Sequence, residues 1–82
     1  MQVKVYCRNG DPYSEMLKNI LKYHHIIYEN VEVSRDQRVL QTMIDLSGQD
    51  RTPVLVVDGK VYVGFDRELI KHILGLTEDK GE

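Results

Sequence analysis

The residues of this chain whose types and spacing could do chemistry lie between positions 7 and 14. Cys7 is the only thiol, Asp11 follows four residues later, and Ser14 stands three residues beyond Asp11. An ionised thiol can exchange with a disulfide. A carboxylate that precedes a helix accepts backbone amides of the first turn and suits the positive end of the helix dipole. A serine with no base nearby in the sequence is a poor nucleophile, so Cys7 is the residue best suited to a covalent reaction.

Cys7 has two interpretations. It ends an apolar strand, where cysteine is commonly a small buried residue without reactivity. It could instead be an exposed thiol whose ionisation is favoured by the adjacent Arg8, since a neighbouring cation lowers the pKa of a thiol. Exposure of the sulfur and the direction of its pKa shift decide between the two.

The composition describes one small domain, because 82 residues are too few for two independent cores. Hydrophobic residues make up 41% and charged residues 29%, as in soluble globular proteins. The net charge of −2 gives no basic field for nucleic acid or an anionic membrane, and no apolar run approaches the ~18 residues of a membrane span. A lone cysteine forms no internal disulfide and the N-terminus does not read as a signal sequence. We expect a cytoplasmic protein, and we expect it to be a monomer.

Hydrophobic periodicity and helix-capping residues predict the secondary structure of the first half of the chain. Alternating apolar residues predict strands at residues 2–7 and 26–33. Asp11 as N-cap and Pro12 at the first helical position predict the start of a helix between them. Ser34, with a glutamine three residues later, predicts a capping box for a second helix, which the glycine at position 48 would end. The first helix should bury a stripe formed by Met16, Leu17, Ile20, Leu21 and His24.

The second half reads as a hairpin followed by a helix. Two β-rich runs, residues 53–57 and 60–63, are joined by Asp58-Gly59, a strong hairpin signal. Asp66 should cap a last helix that ends near residue 75, and residues 76–82 should form a polar tail. The order β-α-β-α-β-β-α predicts an α/β fold of three layers, with a four-stranded mixed sheet and one domain over residues 1–75.

Three motifs in this order resemble those of the glutaredoxin family: Asp11-Pro12-Tyr13-Ser14, Thr52-Pro53 and Gly64-Phe65-Asp66. The chain is most similar to the small glutaredoxin-like branch that includes the ribonucleotide-reductase-associated redoxins, over about residues 2–74. The resemblance implies a thioredoxin-like fold and a family activity of thiol-disulfide exchange and electron transfer. It places Asp11 at the position of the attacking cysteine and Ser14 at that of the resolving cysteine. A carboxylate is not a competent nucleophile for disulfide exchange, so we expect the ordinary reaction to be absent.

The resemblance also implies a binding groove. Thr52-Pro53 matches a cis-proline that faces the active-site loop, where relatives hold an extended peptide or glutathione. In relatives, the position that Arg8 matches holds the carboxylates of glutathione. The position of Tyr13 places an aromatic ring beside glutathione, and that of Asp66 binds its amine. Pro12 and Gly64 complete the groove, which lies between residues 8–13, 52–53 and 64–66.

Two functions follow as hypotheses. The first is a redox-family binding module without dithiol catalysis, whose partner is a peptide, a thiol-containing small molecule such as glutathione, or a redox protein. The alternative is a monothiol oxidoreductase or redox sensor that acts through Cys7. We expect no cofactor, no nucleic acid and no membrane partner. We also expect no metal, because His24, His25 and His72 lack the ligand spacing of a zinc site.

Overall fold

A computed structural model describes residues 1–76. A one-turn 3₁₀ helix, Val33–Arg35, links the second strand to the second α-helix. The elements in chain order are β1 (Val3–Cys7), α1 (Pro12–Tyr23), β2 (Glu29–Glu32), α2 (Gln37–Ser47), β3 (Val54–Val57), β4 (Lys60–Val63) and α3 (Arg67–Ile73).

The four strands form one mixed sheet in the order β2-β1-β3-β4. β1 and β2 are parallel and are joined through α1, whereas β3 is antiparallel to both β1 and β4. A parallel pair needs a long crossover, and α1 supplies it. The predicted four-stranded mixed sheet and its element order are confirmed.

Each face of the sheet has its own apolar layer. On one face, Val5 and Cys7 of β1 pack with Leu17 of α1 and Ile70 of α3. On the other face, a smaller cluster holds residues of the sheet, of the 3₁₀ helix and of α2: Tyr6, Val54, Val33 and Met43. Successive strand residues point to opposite faces, which is why neighbouring residues of β1 belong to different clusters. The three-layer prediction is therefore confirmed.

The approach to α2 differs from the prediction. β2 spans only Glu29–Glu32, because the carboxylate of Glu32 accepts the backbone amide of Ser34 and starts the 3₁₀ turn. The N-cap of α2 is Asp36, whose side chain accepts the amide of Arg38 at 2.8 Å. The predicted capping box at Ser34 is therefore wrong, since the inserted turn moves the helix start by two residues.

The turn at Asp58-Gly59 is confirmed. Both residues have positive φ, 49° and 86°, as a two-residue hairpin turn of type I′ requires. At the end of α3 the amide of Leu76 donates to the carbonyl of Lys71 at 2.8 Å, and its side chain packs against the larger core. Residue 76 thus belongs to the packed domain, while the rest of the predicted tail lies outside the described residues.

Candidate functional site

Asp11 lies where the sheet meets the first helix, at the N-cap of α1. Its Oδ1 accepts the amide of Tyr13 at 3.2 Å. Its Oδ2 accepts the hydroxyls of Ser14 at 2.9 Å and Thr52 at 2.5 Å. The two positions that the motif singled out are therefore bonded to each other, and Thr52 joins them from a loop 41 residues further along the chain.

These contacts make Asp11 a stable anion. Partial burial alone would raise the pKa of its carboxyl, but the hydrogen bonds from Thr52, Ser14 and the backbone outweigh it and lower the pKa. A donor that bonds the charged form always shifts a carboxyl in this direction. The site therefore holds a negative charge at neutral pH, at the helix end whose dipole favours it.

A groove of about 560 Å³ opens beside Asp11. The Thr52-Pro53 bond in its wall is cis, as the resemblance implied. The rings of Tyr13 and Phe65, which both line it, stack on each other with centroids 6.1 Å apart. The amide of Gly64 donates to the carbonyl of Pro53 at 2.9 Å and thereby holds the two sides of this wall together. The lining residues are Tyr13, Gln49, Arg51, Thr52, Pro53, Val63, Gly64 and Phe65.

Three residues of the expected site stand outside this lining. Pro12 is exposed at the first position of α1. Arg8 donates from Nη1 to the carbonyl of Asp50 at 2.9 Å, so it supports the loop that precedes Thr52. Asp66 accepts the amide of Leu69 at 3.1 Å as the N-cap of α3. The structure thus gives Arg8 and Asp66 supporting contacts in the loops around the groove.

Cys7 is fully buried in the larger core. Its sulfur donates to Asn30 Oδ1 at 3.2 Å, and Lys18 Nζ lies 3.9 Å from it. Burial raises the pKa of the thiol; Lys18 opposes this shift, whereas Glu32 and the carboxylate paired with Lys18 add to it. A reactive thiol needs exposure and a lowered pKa, and the structure provides neither.

We expect Cys7 to resist alkylation in the folded protein. At about pH 7, iodoacetamide should label native protein at least ~10²-fold more slowly than the urea-unfolded chain, because the core must open before the sulfur is exposed. Mass spectrometry over a time course measures both rates. Equal rates would show an accessible thiol and would favour the monothiol hypothesis.

The glutaredoxin family model matches residues 3–62, which is most of the chain. The chain belongs to the glutaredoxin family. A glutaredoxin-like 8.6 kDa protein of the rubredoxin operon of Clostridium pasteurianum is 31% identical over 72 residues, which cover 88% of this chain and 96% of that protein.

Solved structures of the thioredoxin-like class share the fold. A mutant form of the thioredoxin-like protein BC3987 superimposes with a TM-score of 0.86 at 26% identity, over 93% of this chain and 97% of that one. The glutaredoxin-like NrdH-redoxin of Escherichia coli gives 0.77 at 19% identity, over 89% and 95%. The thioredoxin-like fold that the sequence predicted is thereby confirmed.

The groove beside Asp11 includes residues that the sequence did not single out. Gln49 shapes the loop before the cis bond: its side chain accepts the amide of Arg51 at 2.6 Å and donates to the carbonyl of Arg51 at 3.1 Å. Val63 ends β4 and pairs with Val54, next to the cis-proline. Phe65 belongs to the Gly64-Phe65-Asp66 motif, and its place directly after Gly64, whose φ is positive, was the available signal. Gln49 and Arg51 had none beyond their closeness to Thr52-Pro53.

Residues 1–76 contain neither a metal-ligand cluster nor a membrane-spanning helix. No group of three or more His, Cys, Asp or Glu side chains there is placed to hold a metal ion. In the same residues, none of the helices has the length and apolar character needed to cross a membrane.

Proposed function

We propose that this member of the glutaredoxin family is a binding module without dithiol catalysis, and that its groove accepts an extended peptide or a small thiol compound such as glutathione. The observation that carries the proposal is the carboxylate of Asp11, which occupies the attacking position and accepts hydrogen bonds from Thr52, Ser14 and the first turn of α1. The position is thus filled by a group that binds and orients but does not exchange disulfides.

The serine at the second position does not restore a nucleophile. Ser14 is fully buried, and its hydroxyl donates to Asp11. Although a carboxylate beside a serine could in principle act as a base, the attacked atom must approach the hydroxyl to within hydrogen-bonding distance. Burial of Ser14 prevents that approach, so the pair serves structure.

The cis-proline wall offers backbone groups to a ligand. Within residues 1–76, neither the amide nor the carbonyl of Thr52 is hydrogen-bonded to another residue. An extended peptide that runs along this wall could pair with both groups, in the manner of an added strand. The stacked rings of Tyr13 and Phe65, which line the same groove, would supply apolar contact. Binding therefore needs no reaction at Asp11.

Reduced glutathione is the probe that tests this groove. Added to ¹⁵N-labelled protein, it should shift the amide signals of Tyr13, Thr52 and Phe65. In a separate incubation with oxidised glutathione, whose disulfide a reactive thiolate would attack with release of one reduced glutathione, mass spectrometry should detect no mixed disulfide. Tyr13→Ala removes one aromatic wall and should weaken binding about tenfold. Tyr23→Ala is the matched control, because Tyr23 is also exposed (73%, against 57% for Tyr13) but does not line this groove.

Two results would overturn the proposal. One is the absence of saturable shifts in the groove at millimolar glutathione. The other is an equal loss of affinity in the two tyrosine variants, which would mean that Tyr13 contributes nothing specific to the groove.

A further inference from the structure

The carboxylate of Asp11 is an anion whose partners are all neutral. Its hydrogen bonds come from the hydroxyls of Ser14 and Thr52 and from the amide of Tyr13. The ion pairs within residues 1–76 lie elsewhere and join Lys4 to Glu29, Lys18 to Glu15 and Arg38 to Asp36. The described part of the chain therefore stabilises the negative charge at the start of α1 without neutralising it.

This carboxylate can accept a further donor. Oδ2 accepts two hydroxyls, whereas Oδ1 accepts one amide, that of Tyr13, at 3.2 Å. A carboxylate oxygen can accept two hydrogen bonds, so Oδ1 can accept one more. Asp11 is also partly exposed, unlike Ser14, which is fully buried. A donor group of a ligand can therefore reach Asp11 from solvent.

Two of the residues that bond Asp11 also line the groove beside it. Thr52 and Tyr13 both donate to the carboxylate, and both belong to the lining. The Tyr13 ring is 57% exposed and stacks on Phe65. Aromatic faces attract cations, and the methylene chain of a lysine packs well on apolar surface. The groove thus places an unneutralised anion next to aromatic surface, a combination that suits an ammonium group on an apolar chain.

Arg51 opposes a cationic ligand, since it lines the same groove. Its side chain is exposed, so solvent and salt screen its charge. Arg67, whose guanidinium carbon lies 5.8 Å from the centre of the Phe65 ring, stands between Asp66 and Glu68 in the sequence. An ammonium group in contact with the Asp11 carboxylate forms a charge-assisted hydrogen bond, which is roughly twice as strong as a neutral one. The direct contact therefore outweighs the screened repulsion.

We propose that the groove beside Asp11 selects an extended peptide with a lysine side chain, whose ammonium group donates to Oδ1 of Asp11 while its methylene chain packs on the Tyr13 ring. This inference rests on the proposed function, because it names the ligand class of the same groove. The backbone of the peptide pairs with Thr52 as an added strand. Glutathione carries two carboxylates and one ammonium group at neutral pH, so its net charge is negative and it binds more weakly than a lysine peptide.

Three synthetic peptides of alternating serine and valine, capped at both ends, test this selection in titrations of the ¹⁵N-labelled protein. They differ only at the central position, which holds lysine, norleucine or glutamate. Norleucine keeps the carbon chain of lysine and lacks its ammonium group. The lysine peptide should bind about tenfold more tightly than the norleucine peptide, and the glutamate peptide should bind most weakly. High salt should reduce the preference for lysine, because screening weakens only the charged contact.

Variants of the protein show whether Asp11 is the selecting residue. Asp11→Asn keeps the size of the side chain and removes its charge, so the preference for lysine over norleucine should fall from about tenfold to less than about twofold. A ratio of two affinities measured on one variant is independent of a general loss of binding. Glu68→Gln is the matched control, because it makes the same change of charge on an exposed residue of α3 outside the groove lining. Arg51→Gln removes a repelling charge and should preserve or enlarge the preference.

Three results would overturn this inference and leave the proposed function in place. They are equal affinities of the wild type for the lysine and norleucine peptides, a preference for lysine that survives in folded Asp11→Asn, and an equal loss of preference in Asp11→Asn and Glu68→Gln. The first needs only the wild type, so it decides even if the Asp11 variant does not fold. If neither the peptides nor glutathione shifts the amide signals of Tyr13, Thr52 and Phe65 saturably, the proposed function fails and the inference fails with it.

Discussion

The double substitution Asp11→Cys with Ser14→Cys is expected to turn this protein into a disulfide reductase. The donors that now bond the Asp11 carboxylate, Thr52 Oγ1 and the amide of Tyr13, would stabilise a thiolate at the same place and lower its pKa. The second cysteine would resolve the mixed disulfide. With dithiothreitol as electron donor and insulin as substrate, reduction above the uncatalysed background should rise at least ~10²-fold over that of the wild type.

Matched variants separate the possible reasons for a failure. Asp11→Cys alone should form a mixed disulfide with the substrate but turn over slowly, because no resolving thiol is present. Ser14→Cys alone should remain inactive. Circular dichroism establishes whether the double variant is folded; if it is folded and inactive, the groove has diverged beyond its site residues and the proposed loss of catalysis has a different origin.

Asp11→Ala is expected to destabilise the fold more than the loss of an ordinary helix cap does. The substitution removes the N-cap of α1 and leaves the hydroxyls of Ser14 and Thr52 without their acceptor, and Ser14 is fully buried. We expect the free energy of unfolding to fall by about 2–4 kcal/mol. Asp36→Ala is the control, because Asp36 caps α2 through a backbone amide and also contacts the exposed side chain of Arg38; its removal leaves no buried hydroxyl without an acceptor and should cost clearly less than that of Asp11. Urea denaturation of both variants measures the difference.

The hydrogen bonds to the Asp11 carboxylate also predict that the stability of the wild type depends on pH. Because the folded-state pKa of Asp11 lies below its ordinary value, its contribution is present above that ordinary value and is lost as the pH falls through the folded-state pKa. Between about pH 5 and pH 2, the wild type should therefore lose more stability than Asp11→Ala does. Parallel curves for the two proteins, or equal costs of Asp11→Ala and Asp36→Ala, would show that the hydroxyl contacts contribute nothing.

Sequence patterns predicted the features that depend on neighbouring residues. Asp11-Pro12 at the start of α1 and Asp58-Gly59 in the hairpin act through local backbone geometry, so their spacing was sufficient. The same rules were wrong at Ser34, because the carboxylate of Glu32 competes for its amide and inserts a turn. The amide of Ser34 could have bonded either to the Glu32 carboxylate or to the glutamine side chain of the predicted capping box, and the sequence alone does not decide between these two acceptors.

Features that depend on contacts between residues far apart in the sequence could not be predicted from local patterns. The hydrogen bond from Thr52 to Asp11 joins residues 41 positions apart, and Met16 is exposed although the helical spacing placed it in the apolar stripe of α1. Whether Cys7 is reactive depends on the core residues that cover it. Chemical type and spacing identified the positions, and tertiary packing decided what each one can do.

Three hydrogen bonds connect the loops at the Asp11 end of the sheet. Arg8 donates to the carbonyl of Asp50, the amide of Asn9 donates to Glu32, and Thr52 donates to Asp11. Together they hold the segments after β1, after β2 and before β3 in one arrangement before any ligand arrives. A ligand that binds there still loses its own conformational freedom, but few protein loops have to become ordered around it. Because the entropic cost of ordering the protein is small, a preorganised site of this kind binds more tightly. In the proposed binding module, the Asp11 carboxylate would therefore also fix the position of the groove wall that contains Thr52.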